Sequence, residues 1–378
     1  MIYLDNAATS FPKPPQVIRA VAGAMEKIGA NPGRAGHRMS LAAGRVVWHC
    51  REEIAQLLDV PNPEDIVFGF NCTDSLNLAI RGCVRPGDHV ITTMLEHNSV
   101  LRPINGMVNR GLITWSLLAP GEGGVVTAEQ VERAIRPETR LIVINHASNV
   151  IGLAQPVKEI GAVARKHGII FLLDAAQSLG VLPVHPLDIG ADMVAFPGHK
   201  GLLGPFGTGG LYIRPGLELV PFREGGTGSS SESMLQPSEL PEAYESGTLN
   251  LVGIAGLMVG TRIVRARREE IQAREKELSD RLWNELQDIN GICTLTTRAP
   301  DVGVVSFNVT GYSSGEVATK LDRANIAVRG GLHCAPAIHT HLGTLDRGAA
   351  RASVGHASTD ADVDALISEV KRIARESM

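Results

Sequence analysis

Residues 193–210 read MVAFPGHKGLLGPFGTGG, which places His199 and Lys200 directly after a run with strand character and between glycines. A lysine at the mouth of a buried sheet is costly to desolvate unless it has a task. Condensing with an aldehyde to form an imine removes the charge and creates an activated electrophile. The flanking glycines permit a backbone path closed to bulkier residues. An ordinary surface lysine is the plainer account of this segment taken alone. A nucleotide P-loop is a poor fit, because the G-x-x-x-x-G-K-[ST] frame is missing.

Three further segments share the layout of a strand followed by polar groups. In IIFLLDAAQSLG (169–180), Asp174 closes an apolar run and Gln177 follows. A carboxylate there can keep a pyridine nitrogen protonated and make the ring an electron sink, while Gln177 hydrogen-bonds the ring's phenolic oxygen. The plain alternative is Asp174 as a helix N-cap. In MLEHNS (94–99), His97 can stack on a planar ring and carry protons, or be a loop histidine without a role. In FGFNCTDSLN (68–77), Cys72, Thr73 and the amides opening a helix suit a phosphate, the alternative being capping by Thr73 or Asp74. Each segment is weak alone. Together they put a phosphate cradle, a stacking imidazole, a carboxylate and an imine-forming lysine on successive strand ends. That combination points to pyridoxal phosphate held on Lys200.

These groups need a scaffold. Short β-rich runs at 65–70, 89–95, 113–118, 141–148, 169–174, 193–196 and 209–214 alternate with helical patterns such as 75–85, 98–111, 127–136 and 155–167. The alternation predicts an α/β fold: a mainly parallel seven-stranded sheet with helices on both faces and ligand groups beyond the strands' carboxyl ends. The polar stretch 225–247, which includes GGTGS, reads as a long functional loop, and 251–288 as a charged helix connecting two domains. Beyond it come strands near 302–309 and 326–329, helices near 313–324 and 360–376, and a turn-rich segment over 330–350. The expected division is a large cofactor-binding domain over 15–255 and a smaller α+β domain over 256–378, with residues 1–14 packing on the latter.

Composition excludes other classes. The 378 residues carry a dispersed net charge of −4 and only 4% aromatics, which argues against nucleic acid as a partner. The opening MIYLDNAATS has no leader pattern and no apolar run is long enough for a bilayer, so a cytoplasmic protein without membrane association is expected. Its five cysteines (Cys50, Cys72, Cys83, Cys293, Cys334) lack disulfide or zinc spacing and suit a reducing compartment.

YLDNAATS (3–10), HASNVIG (146–152) and ESGTLN (245–250), with Asn149, Asp174, Gln177, His199 and Lys200 in order, make a family recognisable. Over nearly its whole length the chain resembles the class V aminotransferase group of fold-type I pyridoxal phosphate enzymes, and within it the cysteine desulfurases. The resemblance implies Lys200 as the cofactor lysine, His97 stacked on the ring, and Asp174 and Gln177 as ring contacts. It also implies Thr73 and His199 at the phosphate, with Thr248 reaching across from the second subunit of a homodimer. Asn149 and Arg351 (in ARASVG) would hold the substrate carboxylate, a role suited to a guanidinium fork.

Cys334 separates a desulfurase from an aminotransferase. It lies in AVRGGLHCAP (327–336), which resembles the R-x-G-x-H-C-A of SufS-type and selenocysteine-lyase enzymes; the longer serine-rich cysteine loop of the other branch is missing. Gly330 and Gly331 are expected to let a loop bring Cys334 in, with His333 assisting the thiolate. Cys50, Cys83 and Cys293 read as inert thiols, and a metal site from Cys334, His339 and His341 lacks a further ligand pair. Two departures from the family pattern stand out. Pro197 occupies the position three before Lys200 where better-known desulfurases have a hydroxyl residue, and Asn71–Cys72–Thr73 replaces Gly-Thr-Thr. The expected activity is conversion of L-cysteine to L-alanine, with sulfur loaded on Cys334 as a persulfide for a sulfur-acceptor protein. L-selenocysteine as substrate, transamination or another elimination are the alternatives, and cofactor binding without turnover would mark a non-enzymatic platform.

Overall fold

A computed structural model describes residues 1–32, 36–228 and 232–376; Ser229 of the GGTGS stretch lies outside them. The main sheet has seven strands in the spatial order Ile66–Gly69, Gly209–Ile213, Met193–Pro197, Ile170–Asp174, Thr139–Asn145, His89–Thr93, Thr114–Leu118. All are parallel except Gly209–Ile213, which is antiparallel to both neighbours. A parallel connection needs a crossover of a dozen or more residues, whereas 198–208 is shorter, so the chain turns straight back. Lys200 sits in that turn. The mainly parallel seven-stranded sheet expected from the sequence is present, with strand ends shifted by up to three residues.

Central strands are apolar throughout because both faces are covered. Ile142 and Ile144 enter one core and Leu141 and Val143 the other, the alternation of a strand. Helices Arg38–Leu58 and Val157–His167 and the first half of helix Leu251–Gln287 cover one face. Helices Cys72–Cys83 and Asn98–Asn109 cover the other. The sequence reading assigns no element to helices Pro15–Lys27 and Arg38–Leu58; in the first, only Val17 and Ala24 are buried, too thin an apolar stripe to stand out.

A second sheet is antiparallel, ordered Arg329–Gly331, Ala349–Ser353, Val304–Val309, Ile292–Thr294. Its core includes Leu4, Leu278, Leu282, Phe307 and residues of helices Ser314–Arg323 and Asp360–Glu376. The long helix bends at Arg267 (φ −131°) and serves both layers, Ile271 joining the large core and Leu278 the small one. The segment 330–350 is less irregular than its composition suggests. It holds helix Pro336–His341 and the start of strand Ala349–Ser353, whose AARAS sequence has no β-branched or aromatic residue to announce it. Among the described residues no helix is long and apolar enough to cross a membrane.

Candidate active site

Residues at or just past the carboxyl ends of the parallel strands surround a cavity of about 220 Å³. Cys72, Thr73, His97, Asn149, Asp174, Gln177, His199 and Lys200 come from the main sheet, and Arg351 from the second sheet closes the wall with Arg329 and His333.

Gly201 fixes the lysine turn. A Cβ on it would lie 2.3 Å from the Leu179 carbonyl oxygen, so only glycine lets this turn rest against the next loop. The Lys200 amine makes no hydrogen bond or ion pair among the described residues. Burial lowers its pKa; Cys72 and Asp174 pull it back up, and Arg351 and Arg329 push it further down.

Asp174 is 4% exposed. Its Oδ1 accepts the Ala176 amide at 2.9 Å and the Cys72 thiol at 3.7 Å, while no described residue donates to Oδ2. Burial raises the Asp174 pKa, offset by the Ala176 amide, Lys200 and Cys72. Asp174 caps no helix, since the next one begins at Pro186.

Helix Cys72–Cys83 is capped by Asn71, whose Oδ1 accepts the Asp74 amide at 2.9 Å, so neither Thr73 nor Asp74 has that task. The first-turn amides of such a helix lack partners within it. Thr73 Oγ1 lies 2.8 Å from Ser99 Oγ, which is also 2.8 Å from His97 Nδ1. His97 caps helix Asn98–Asn109, its Nδ1 accepting the Ser99 amide at 3.0 Å. Burial, reinforced by Lys200, Arg329, Arg102 and Arg351, lowers its pKa to about 4. His199 is held near 4 chiefly by burial, and its buried Nδ1 has no partner among the described residues. The His199 carbonyl accepts the Ser10 amide at 3.1 Å and Lys13 Nζ at 2.8 Å, which pins the N-terminal segment beside the lysine turn.

Arg329 and Arg351 are directly opposite in the register of adjacent strands. Like charges so placed repel unless anchored. Arg351, 1% exposed, donates from Nη2 to Asp5 Oδ1 at 2.8 Å and from Nη1 to the Asn149 carbonyl at 3.0 Å, leaving Nε without a partner among the described residues. Arg329 Nη2 approaches Cys334 Sγ at 3.8 Å.

His333 and Cys334 both adopt the left-handed region, with φ of 51° and 58°. Two consecutive non-glycine residues there persist only where surroundings over-determine them. The surroundings are the Asn149 Nδ2 bond to the His333 carbonyl (2.7 Å), the Asn98 amide bond to the Cys334 carbonyl (2.7 Å) and a 3.0 Å contact from His333 Nε2 to the Ala349 carbonyl. Of the two glycines expected to let a loop bring Cys334 in, Gly331 has a glycine-favoured φ of 119° with open space around it, whereas Gly330 is closely packed. Both lie in a strand, and a Cβ on Gly330 would meet the Ser314 carbonyl oxygen at 2.5 Å, so that glycine serves close packing. The expected assistance from His333 is also constrained, since burial first, then Arg351, holds it down at about 2.

Thr248 does not line this cavity; it borders a separate crevice with Phe70 and Arg223. Among the described residues no group of three His, Cys, Asp or Glu side chains could hold a metal ion, and His339 Nδ1 instead contacts Thr344 Oγ1 at 2.8 Å. Sequence reasoning missed Arg329 and Ser99. The first opens the R-x-G-x-H-C-A pattern and was available as a signal; the second stands in MLEHNS with nothing to mark its partners.

Comparison with known proteins agrees with this architecture. The aminotransferase class-V family matches residues 2–366. A probable cysteine desulfurase of Methanothermobacter thermautotrophicus is 36% identical, over 99% of this chain and 94% of the relative. The cysteine desulfurase IscS of Klebsiella pneumoniae is 32% identical, over 98% of this chain and 92% of its own. Among solved structures, the apo cysteine desulfurase from Thermococcus onnurineus NA1 superimposes with a TM-score of 0.92 at 32% identity, covering 99% of this chain and 95% of that one. With the family matched almost end to end, this chain belongs to the class-V aminotransferases.

Proposed function

We propose that the protein is a pyridoxal-phosphate-dependent cysteine desulfurase that converts L-cysteine to L-alanine and takes the sulfur onto Cys334. The observation that carries this reading is the unpartnered Lys200 amine beside Asp174, in a cavity whose wall also holds Arg329 next to Cys334. A buried amine without a counterion is costly as a structural element, and imine formation removes the cost.

The residues present fit the cofactor. Asp174 has one oxygen without a donor among the described residues and so open to a ring nitrogen, and Gln177 uses one Nε2 proton on the Ala7 carbonyl at 3.0 Å, keeping the other for a ring oxygen. His97 would lie on the ring. Cys72, Thr73, His199 and the first-turn amides would surround the phosphate, with Pro197 lining the cavity but offering no hydroxyl. Thr248, facing its own crevice, would join from the partner of a homodimer. When bound, pyridoxal phosphate supplies an electron sink for charge developing on the substrate.

Lys200, its basicity lowered, is the group to move the Cα proton. Arg351, steadied by Asp5 and Asn149, would orient the substrate carboxylate. The Cys334 thiolate then attacks the substrate sulfur. An S–S bond forms, the Cβ–S bond breaks, and the electron pair left on carbon takes up a proton. The products are L-alanine and a Cys334 persulfide, which a sulfur-acceptor protein would relieve. On this reading residues 15–255 bind the cofactor and 256–378, with 1–14, form the smaller domain; the packing of Leu4 with Leu278 supports the latter grouping. Free thiols throughout suit work in the cytoplasm.

The test compares wild type with Cys334→Ala on L-cysteine, following alanine, sulfide and the visible absorbance of the cofactor. Alanine formation should collapse in the variant while the absorbance persists. Equal alanine from both proteins would remove Cys334 from the mechanism. No alanine from either, with cofactor bound, would transfer the reading to another amino acid, L-selenocysteine first.

A further inference from the structure

We infer that Ser99 is a positioning residue: it presents His97 to the substrate as an Nε2–H donor and ties that ring to the Thr73 hydroxyl. The inference rests on the desulfurase reading for what His97 faces, and on hydrogen-bond logic for the rest. The Ser99 backbone amide can only donate, and it lies 3.0 Å from His97 Nδ1. Nδ1 therefore carries the lone pair, and in the neutral ring the proton sits on Nε2. Burial among cations keeps the ring neutral, with its pKa lowered to about 4. Ser99 Oγ is 2.8 Å from the same Nδ1; facing a lone pair, that hydroxyl must also donate. Its oxygen then accepts, so Thr73, 2.8 Å away, must be the donor to it. One backbone amide thus sets the direction of the whole chain, from Thr73 to Ser99 to His97.

Two consequences follow. Nδ1 is occupied from the helix side, so His97 can meet the substrate only through Nε2, which has no partner among the described residues. The Thr73 hydroxyl proton is engaged too, so an anion at this helix start relies on the first-turn amides. With Pro197 lacking a hydroxyl, the amides matter more here than side chains do.

The experiment is long-range ¹⁵N–¹H correlation of histidine rings in the labelled, cofactor-loaded enzyme, with His97 assigned through His97→Gln. The Nε2–H pattern is expected between pH 6 and 8; an Nδ1–H pattern or a charged ring overturns the inference. Ser99→Ala keeps the amide and removes the hydroxyl. It should keep the tautomer yet raise the His97 pKa by about half a unit to one unit, because a donor to the neutral form is lost. Turnover of L-cysteine should fall about 3- to 10-fold with KM and the cofactor absorbance unchanged, and Ser99→Thr should restore it. Wild-type ring signals, pH profile and turnover in Ser99→Ala would defeat the proposal. If that variant does not fold, Thr73→Val cuts the chain at its other end and should move the His97 pKa the same way; an unmoved pKa overturns the inference. Should wild type not turn over L-cysteine at all, the desulfurase reading falls, while the tautomer and its response still decide the role of Ser99.

Discussion

Asn149 donates through Nδ2 to the carbonyl of His333 at 2.7 Å, so a loop of the main sheet grips the turn that carries Cys334. The grip opposes the strain of two consecutive left-handed residues. Asn149→Ala leaves that buried carbonyl without its donor, a loss of about 1–3 kcal/mol at the turn. Amide exchange over 332–335 should accelerate by about tenfold or more, and alanine formation should fall while the cofactor absorbance stays. Unchanged exchange would show that the other contacts suffice.

Lys200→Ala should abolish the lysine-bound absorbance and reduce alanine formation by about three orders of magnitude. It should not destabilise the cofactor-free protein, because it removes a desolvated amine that has no hydrogen-bond or ion-pair partner among the described residues. Thermal unfolding of the cofactor-free variant at or above the wild-type midpoint is the expected result, and a clearly lower midpoint would contradict it.

Gly330→Ala drives a Cβ into the Ser314 carbonyl oxygen, 2.5 Å away. Backbone must shift to admit it, at a cost of about 1–3 kcal/mol. The strand holding Arg329 moves with it, so Cys334 loses its 3.8 Å neighbour and alanine formation should drop. Denaturant unfolding and turnover measured together check this, since a hinge-like glycine would lose turnover without losing stability.

The pH dependence of stability follows from burial. His97, His146 and His199 are lowered to about 4, and Glu96 and Glu275 raised to about 8. Below about 6.5 the unfolded chain binds protons that the folded histidines refuse, so stability falls as pH drops from there toward 4. The glutamates act oppositely: the folded chain keeps protons that the unfolded chain releases, so their contribution is present at low pH and is lost as pH rises toward 8. Below about 6.5 these histidines, joined by His333 held at about 2, outweigh the two glutamates; from there toward pH 8 the glutamates outweigh Lys13, which burial lowers to about 8 and which acts against them. Cofactor-free protein should be most stable near pH 6.5, as denaturant midpoints between pH 4.5 and 8 would reveal. A steady rise up to pH 8 would contradict this balance.

The sequence by itself determined the main sheet and the groups on its strand ends. Apolar runs such as IIFLLD are continuous because both faces of their strands are buried, and the polar residue ending each run lies on the ligand side by the geometry of parallel sheets. That is why Asp174, His97, His199 and Lys200 could be named from order and residue type, and why they line one cavity. Tertiary structure alone decided the second wall. Arg351 stands on a strand of small residues, its register opposite Arg329 comes from pairing, and its bond to Asp5 spans 346 residues. Asn149 is a substrate contact by family resemblance and lines the cavity, and only the folded chain shows that its amide also reaches a carbonyl 184 residues away. The Thr73–Ser99–His97 chain likewise depends on two helix starts meeting side by side. Periodicity reports which face of an element is buried. Which side chains meet across elements depends on how those faces pack, and no local pattern carries that information.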